Sequence, residues 1–281
     1  MMSTVGVGGG DPGPAASGAV AEPGLPARLP VFGVGISASS RYEEIVSAVV
    51  ERARLGRPLA LTALSVHGLM LAAEDAEMAA ALARMDVVTT DGQPVRWAVN
   101  ALHRTQLSQR ISGPELMLRT CAAAERERLP IFLYGSRPAV ILKLRDRLRG
   151  RFPRLAFAGV EPSRVRPRRF PPPTAEPADF DDVERIRESG AALVFVGLGC
   201  PLQELWVAAH REHLGMPALC VGAAFDFHAG LLPRAPDWMQ ARGLEWLYRL
   251  AREPRRLWRR YLLHNPAYLA RLAVELAARR R

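Results

Sequence analysis

The stretch Met85–Val99, MDVVTTDGQPVRWAV, decides how the rest of the chain is read. Asp86–Thr90 is short and rich in β-branched residues, the composition of a strand inside an α/β core. Gly92 allows a tight turn, and Pro94 suits the first turn of a helix running on through Trp97 and Val99. Asp91 therefore stands at the carboxyl end of a strand, where open α/β sheets place their ligands. Asp is equally a favoured helix N-cap. The stretch alone leaves cap and functional acid both open.

Outward from this point strands and helices alternate. Upstream, LPVFGVGI reads as a strand leading into a helix over Tyr42–Ala53, and PLALTALSV as a second strand followed by helical GLMLAAEDAEMAAALARM. Downstream come a helix over Pro114–Arg126, strand PIFLYGS, helix Pro138–Leu148 and strand RLAFAGV. The Pro/Arg-rich segment 161–179 interrupts the order as a loop. Alternation resumes with helix Asp182–Ser189, strand ALVFVGLG, helix Pro201–His213 and strand PALCVGAAF. The predicted fold is α/β, a Rossmann-like, mostly parallel sheet with helices on both faces. Its expected limits are 29–232, after a disordered Gly/Pro/Ala-rich leader over 1–28 and before a helical appendage over 233–281. In that appendage three short helices are expected, each beginning near Pro236, Pro254 or Pro266.

A chain of 281 residues with 49% hydrophobic residues can bury a sizeable core. Its formal charge of +10 is concentrated at one end, because residues 234–281 hold 12 Arg against 4 acids. A basic tail interleaved with aromatics points to phosphate groups, on nucleic acid, a lipid surface or a diphosphate ligand. Cys121, Cys200 and Cys220 make neither a zinc spacing nor an even disulfide set, which suits a reducing compartment. No run of 18 uncharged apolar residues exists to cross a membrane as a helix.

A second junction, VFVGLGCPLQELW, ends an apolar strand on Gly197 and Gly199 and starts a helix at Pro201. Glycines there let the backbone approach a phosphate, and a helix N-terminus offers N–H donors and partial positive charge. A plain strand–helix turn explains the same pattern. Gln203 and Glu204 fall in the first helical turn, so one could face a ligand and the other cap. Gly33 and Gly35 lack the third glycine and the downstream acid of a dinucleotide fingerprint. The Asp-x-Asp within Asp179–Asp182 could hold a metal on a nucleotide diphosphate, but opening a helix it reads better as first-turn acids. The six histidines form no ligand pattern, and neither a Gly-x-Ser-x-Gly elbow nor a Walker loop is present.

Taken in order, the Thr62 strand, DGQPV, RISGPELM, IFLYGS, VGLGCPLQE, VGAAFDFHAG and RAPDWMQARGLEWLYRLAREPRRLWRRYL resemble the WecG/TagA/CpsF family of bacterial glycosyltransferases. The resemblance runs from about Pro30 to Tyr261, and Leu64, Cys200 and Leu202 depart from its pattern. It implies an inverting transfer of an N-acetylmannosamine-type sugar, or its uronic acid, from a UDP donor to a polyprenyl-diphosphate-linked sugar in cell-surface polymer synthesis. It assigns Asp91 the role of catalytic base, sets Thr62 beside it, and makes Arg110 and Gln203 pocket residues. Substrate-binding positions would be Gly92, Gln93, Gly197, Gly199, Pro201, Glu204 and Asp226. Arg249, Arg256 and Arg259 of the appendage would reach over the site.

With no convincing metal motif, arginines and a helix N-terminus are the expected stabilisers of the departing diphosphate, and neither metal nor cofactor is expected. A lipid-borne acceptor implies a cytoplasmic protein lying peripherally on the membrane through its basic tail; a homo-oligomer is compatible with this. Two other readings compete. A nucleic-acid-binding protein would use the basic tail but should show a known module or base-stacking aromatics. An NAD-dependent oxidoreductase would need the complete glycine fingerprint.

Overall fold

The computed structural model describes residues 24–163 and 177–279, leaving aside the side chains of residues 177–180, 256 and 260. It opens with β1 (Arg28–Val31) and β2 (Val34–Ser37), paired antiparallel with Val31 opposite Val34. LPVFGVGI is therefore a hairpin, not one strand running into a helix. Phe32 and Gly33, at φ 53° and 84°, make the two-residue turn whose left-handed backbone matches the strand twist. Arg28 ties the hairpin to the main body, donating to the carbonyls of Gly35, Leu82 and Met85.

There follow α1 (Tyr42–Arg54), β3 (Leu59–Leu64), α2 (Val66–Glu74), α3 (Ala76–Ala83), β4 (Val87–Thr90), α4 (Gln93–His103) and α5 (Gly113–Glu127). Next come β5 (Ile131–Gly135), α6 (Pro138–Arg151), β6 (Phe157–Glu161), α7 (Pro177–Glu188), β7 (Leu193–Gly197), α8 (Leu202–Leu214), β8 (Pro217–Cys220) and α9 (Ala224–His228). The expected single helix after β3 is two, because Asp75 caps α3 by accepting from Met78 N–H. α7 begins at Pro177, five residues before the expected Asp182, so Asp179 stands in its first turn as expected and Asp182 in its second.

The six strands β4-β3-β8-β7-β5-β6 form one parallel sheet. Alternation along each strand splits the core in two. Ala60 and Leu64 of β3, Val88 of β4, Phe132 of β5 and Val194 of β7 face one core, with α2, α3, α4, α7 and α8. Leu61, Val87, Leu133, Phe195 and Leu219 face the other, with α1, α5, α6 and α9. The chain leaves β5 towards β6 and β7 towards β8, in opposite directions across the sheet. Such a reversal opens a crevice at the carboxyl ends, the usual binding place of an open α/β sheet.

The appendage comprises α10 (Asp237–Ala241), α11 (Glu245–Arg252) and α12 (Pro254–Ala278). Pro254 opens α12 as expected, whereas Pro266 lies inside it and starts no new helix. The lost hydrogen bond is tolerated because both flanks of the proline are anchored. Leu257 and Tyr261 are buried before it, and Tyr268 after it joins the core and donates to the Pro94 carbonyl at 2.6 Å.

Candidate active site

Asp91 follows β4, all four of whose residues are buried. It is not the cap of α4, whose N-cap is Gly92 with no side-chain cap bond. Its Oδ1 instead accepts the Gly113 N–H at 2.8 Å, at the start of α5. The carboxylate thus faces the positive end of a helix 22 residues further along the chain. It lines a cavity of about 950 Å³ at the carboxyl ends of the strands.

Burial pushes the Asp91 carboxyl above its ordinary value, and Glu245 pushes the same way. Arg110, the Gly113 N–H and Arg249 pull against them without cancelling the rise. A carboxylate of raised proton affinity beside a cavity has the character of a general base.

Arg110 joins the two parts of the molecule. One Nη donates to the Asp91 carbonyl at 2.8 Å, and the other reaches Glu245 at 2.7 Å and Gln240 at 3.0 Å, both on the appendage. Burial alone would lower the Arg110 pKa, but the facing carboxylates Glu245 and Asp91 raise it above normal. Nothing in the sequence reading picked out Glu245. The available signal was its being one of only 4 acids in a tail of 12 arginines.

Opposite Asp91 the cavity is walled by the turn after β7, with Gly197, Gly199, Pro201 and Gln203. Gly197 lies so close to Phe225 that a Cβ would stand 2.5 Å from the ring, and Gly199 has φ +84°. The Gly199 N–H donates to Gln203 Oε1 at 3.3 Å, so the Gln203 amide closes the turn on itself. Asp226 lines the same cavity, with the Arg137 guanidinium 3.9 Å away. With strands about 4.8 Å apart, the β4 and β7 ends of this cavity are roughly 14 Å apart.

Two expected site residues lie beneath the cavity instead of in it. Thr62 is fully buried and donates to Glu204 Oε1 at 2.9 Å; Glu204 is 1% exposed and also accepts from Gln203 Nε2 at 2.9 Å. Burial raises the Glu204 pKa, with hydrogen bonds from Gln203, Thr62 and Cys200 opposing it. β3 and β8 are neighbours, which brings Thr62 under the start of α8 and lets the pair support Gln203 from below.

Among the arginines of the appendage, Arg249 lines the cavity, stacks over Phe227 at 5.6 Å, and has a buried Nε without a partner among the described residues. Arg259 does not reach it: it is exposed and lies over the Trp258 ring at 5.2 Å. The side chain of Arg256 lies outside the described residues. Arg234 adds a further cation to the wall. Gly92 and Gln93 line a smaller adjoining cavity, which shares Asp91, Arg110 and Arg249.

Asp181 of the Asp-x-Asp is exposed on α7 and lines neither cavity, while the adjoining Asp182 is 1% exposed, accepts from Tyr134 and pairs with Arg185. The side chain of Asp179 is outside the described residues. No group of three or more His, Cys, Asp or Glu among the described residues is placed to hold a metal ion.

A sequence profile of the Glycosyl transferase WecG/TagA/CpsF family matches residues 29–281, nearly the whole chain. The chain belongs to this family. Its activity is accordingly that of a glycosyltransferase, which takes a nucleotide-sugar donor and a sugar-linked acceptor. In this WecG/TagA/CpsF member the parallel sheet supplies the strand ends, and the C-terminal helices close one side of the cavity.

Proposed function

We propose that this protein is an inverting transferase that moves an N-acetylhexosamine-type sugar from a UDP donor to a polyprenyl-diphosphate-linked sugar. The observation that carries the reading is Asp91, a carboxylate of raised pKa in one cavity with a glycine turn and several arginines.

In this mechanism Asp91 removes the proton of the acceptor hydroxyl as its oxygen attacks the anomeric carbon. The bond from that carbon to the β-phosphate oxygen breaks on the opposite face, so configuration inverts and UDP leaves. The proton resting on Asp91 is then passed to solvent. Hydrogen-bond donors preset at the point where charge develops supply much of such catalysis. Arg249 and Arg234, with the N–H groups at the start of α8, are suited to the diphosphate. Arg110 is held by Glu245 and positions Asp91 through its carbonyl. Positive charge on the leaving group thus comes from arginines, and the reaction needs no divalent metal.

No helix of the described residues is long and apolar enough to cross a membrane. The protein reaches its lipid-borne acceptor from the cytoplasmic surface through α12, where Trp258, Leu262 and Leu263 are exposed beside Arg255 and Arg259. UDP release measured across several UDP-sugars, with a polyprenyl-diphosphate-sugar mimic, tests the reaction. Activity should persist in EDTA. Loss on chelation with recovery on adding Mn²⁺ or Mg²⁺ would reject the arginine-based mechanism.

A further inference from the structure

The smaller cavity differs in chemistry from the one beside it. It encloses about 350 Å³ between α4 and the helices α11 and α12. Trp97 stands on the core side; Leu244, Trp246, Tyr261 and Leu269 stand on the appendage side. Gly243, at φ +71°, brings the appendage so close to Trp97 that a Cβ would lie 2.8 Å from the indole. The inner end reaches Asp91, Arg110 and Arg249, which the larger cavity shares. At its outer limit are Trp97, 42% exposed, and Leu269, 63% exposed. Leu269 lies on the same helical face as Trp258 and Leu262, also exposed. A mostly apolar passage therefore leads from the Asp91 carboxylate to the exposed side chains of Trp97 and Leu269.

We propose that this cavity binds the first carbons of a hydrocarbon chain carried by the acceptor. The inference rests on the glycosyl-transfer reading above and adds a subsite to it. An acceptor built as sugar, phosphate linker and hydrocarbon chain fits the order of groups along this cavity. Its hydroxyl meets Asp91, its anionic linker meets Arg242, which lines this cavity and not the larger one, and its chain runs between Trp97 and the appendage. Trp97, Leu244, Trp246, Leu269 and Leu272 gain by exchanging water for hydrocarbon, with Ser65, His67, Gln93 and Asn265 as the polar part of the same lining. The volume is near the lower end for small-molecule sites, so it takes part of a long chain, and the remainder passes Leu269 to the surface.

The test uses the full chain without detergent and acceptors that share one sugar-diphosphate head on linear alkyl chains of increasing length. UDP release should show KM falling about fourfold for each added methylene, the equivalent of about 0.8 kcal/mol, and levelling once the cavity is full. kcat should stay constant across the series. Trp97→Gln should raise KM for the longest chain at least tenfold more than for the methyl acceptor. A KM independent of chain length, with UDP still released, overturns the subsite and leaves glycosyl transfer standing. So does an equal effect of Trp97→Gln on every chain length. Absence of release with every acceptor and donor overturns the transfer reading, and the subsite with it.

Discussion

Asp91 and Arg249 face one cavity from two parts of the molecule that are held in different ways. Asp91 extends a strand whose four residues are all buried between two apolar cores. Arg249 stands on α11, which like α10 buries none of its residues. The appendage is fastened by Leu257, Tyr261 and Tyr268 and by the Arg110–Glu245 pair, while Trp238, Leu247 and Trp258 remain exposed. The proposed base thus belongs to the stable sheet, and a proposed anion-binding cation belongs to a marginally buried element. Segments with few buried contacts open more readily than a core. A site assembled across such a seam is complete only while the appendage is seated.

The sharpest test of this division is Asp91→Asn. The amide oxygen can still accept the Gly113 N–H, so thermal stability should hold while turnover falls by about 10²–10⁴-fold. Unchanged turnover with a lowered melting temperature would reduce Asp91 to an anchor for α5. Arg249→Ala should follow, with a loss of about 10²-fold in turnover and an unaltered far-UV spectrum, since one donor to a developing anion has about that value. Full activity in this variant would confine the chemistry to the core and make the appendage a cover.

Arg259→Gln separates chemistry from surface binding. Its exposed guanidinium lies away from both cavities, so turnover on a soluble acceptor should be unchanged. Affinity for vesicles containing anionic lipid should weaken by about fivefold, close to 1 kcal/mol per cation. A large loss of turnover would bring Arg259 back to the site.

The smallest effect expected is a displacement in pH. As a base Asp91 must be ionised, and its raised pKa puts the acid limb of kcat/KM above the ordinary carboxylate range. Activity is lost as pH falls through that limb. Glu245→Gln removes a negative neighbour that raises the Asp91 pKa, so the limb should move to lower pH. A limb that stays in place would show that the two carboxyls do not interact across the seam.

Much of the core could be read from local chemistry. The β-branched run before Asp91, the helix with Pro94 in its first turn and the two glycines at the end of β7 each involve neighbours in sequence, and the structure has them all. The family signal lies in the same places, because strand ends and first turns carry the motifs. The turn at Phe32 was hidden, since a non-glycine residue rarely takes φ +53° and only its strand pairing reveals it. Pro266 misled in the opposite direction: a proline marks a helix boundary only when nothing else holds the two flanks together.

What the sequence determined by itself was the alternation of elements, the basic tail and the place of Asp91 at a strand end. What only the tertiary structure decided was which side chains meet. Thr62 and Glu204 are 142 residues apart, and their hydrogen bond exists because β3 pairs with β8 in the folded sheet. Gln203 and Glu204 were equivalent candidates in one helical turn, yet the packing of α8 sends Glu204 into the core and leaves Gln203 on the cavity wall. Arg110 and Glu245 are 135 residues apart and meet only when the appendage folds back onto α2 and α4. Periodicity and turn chemistry act over a few residues, whereas strand order and helix docking are set by burying surface between distant segments.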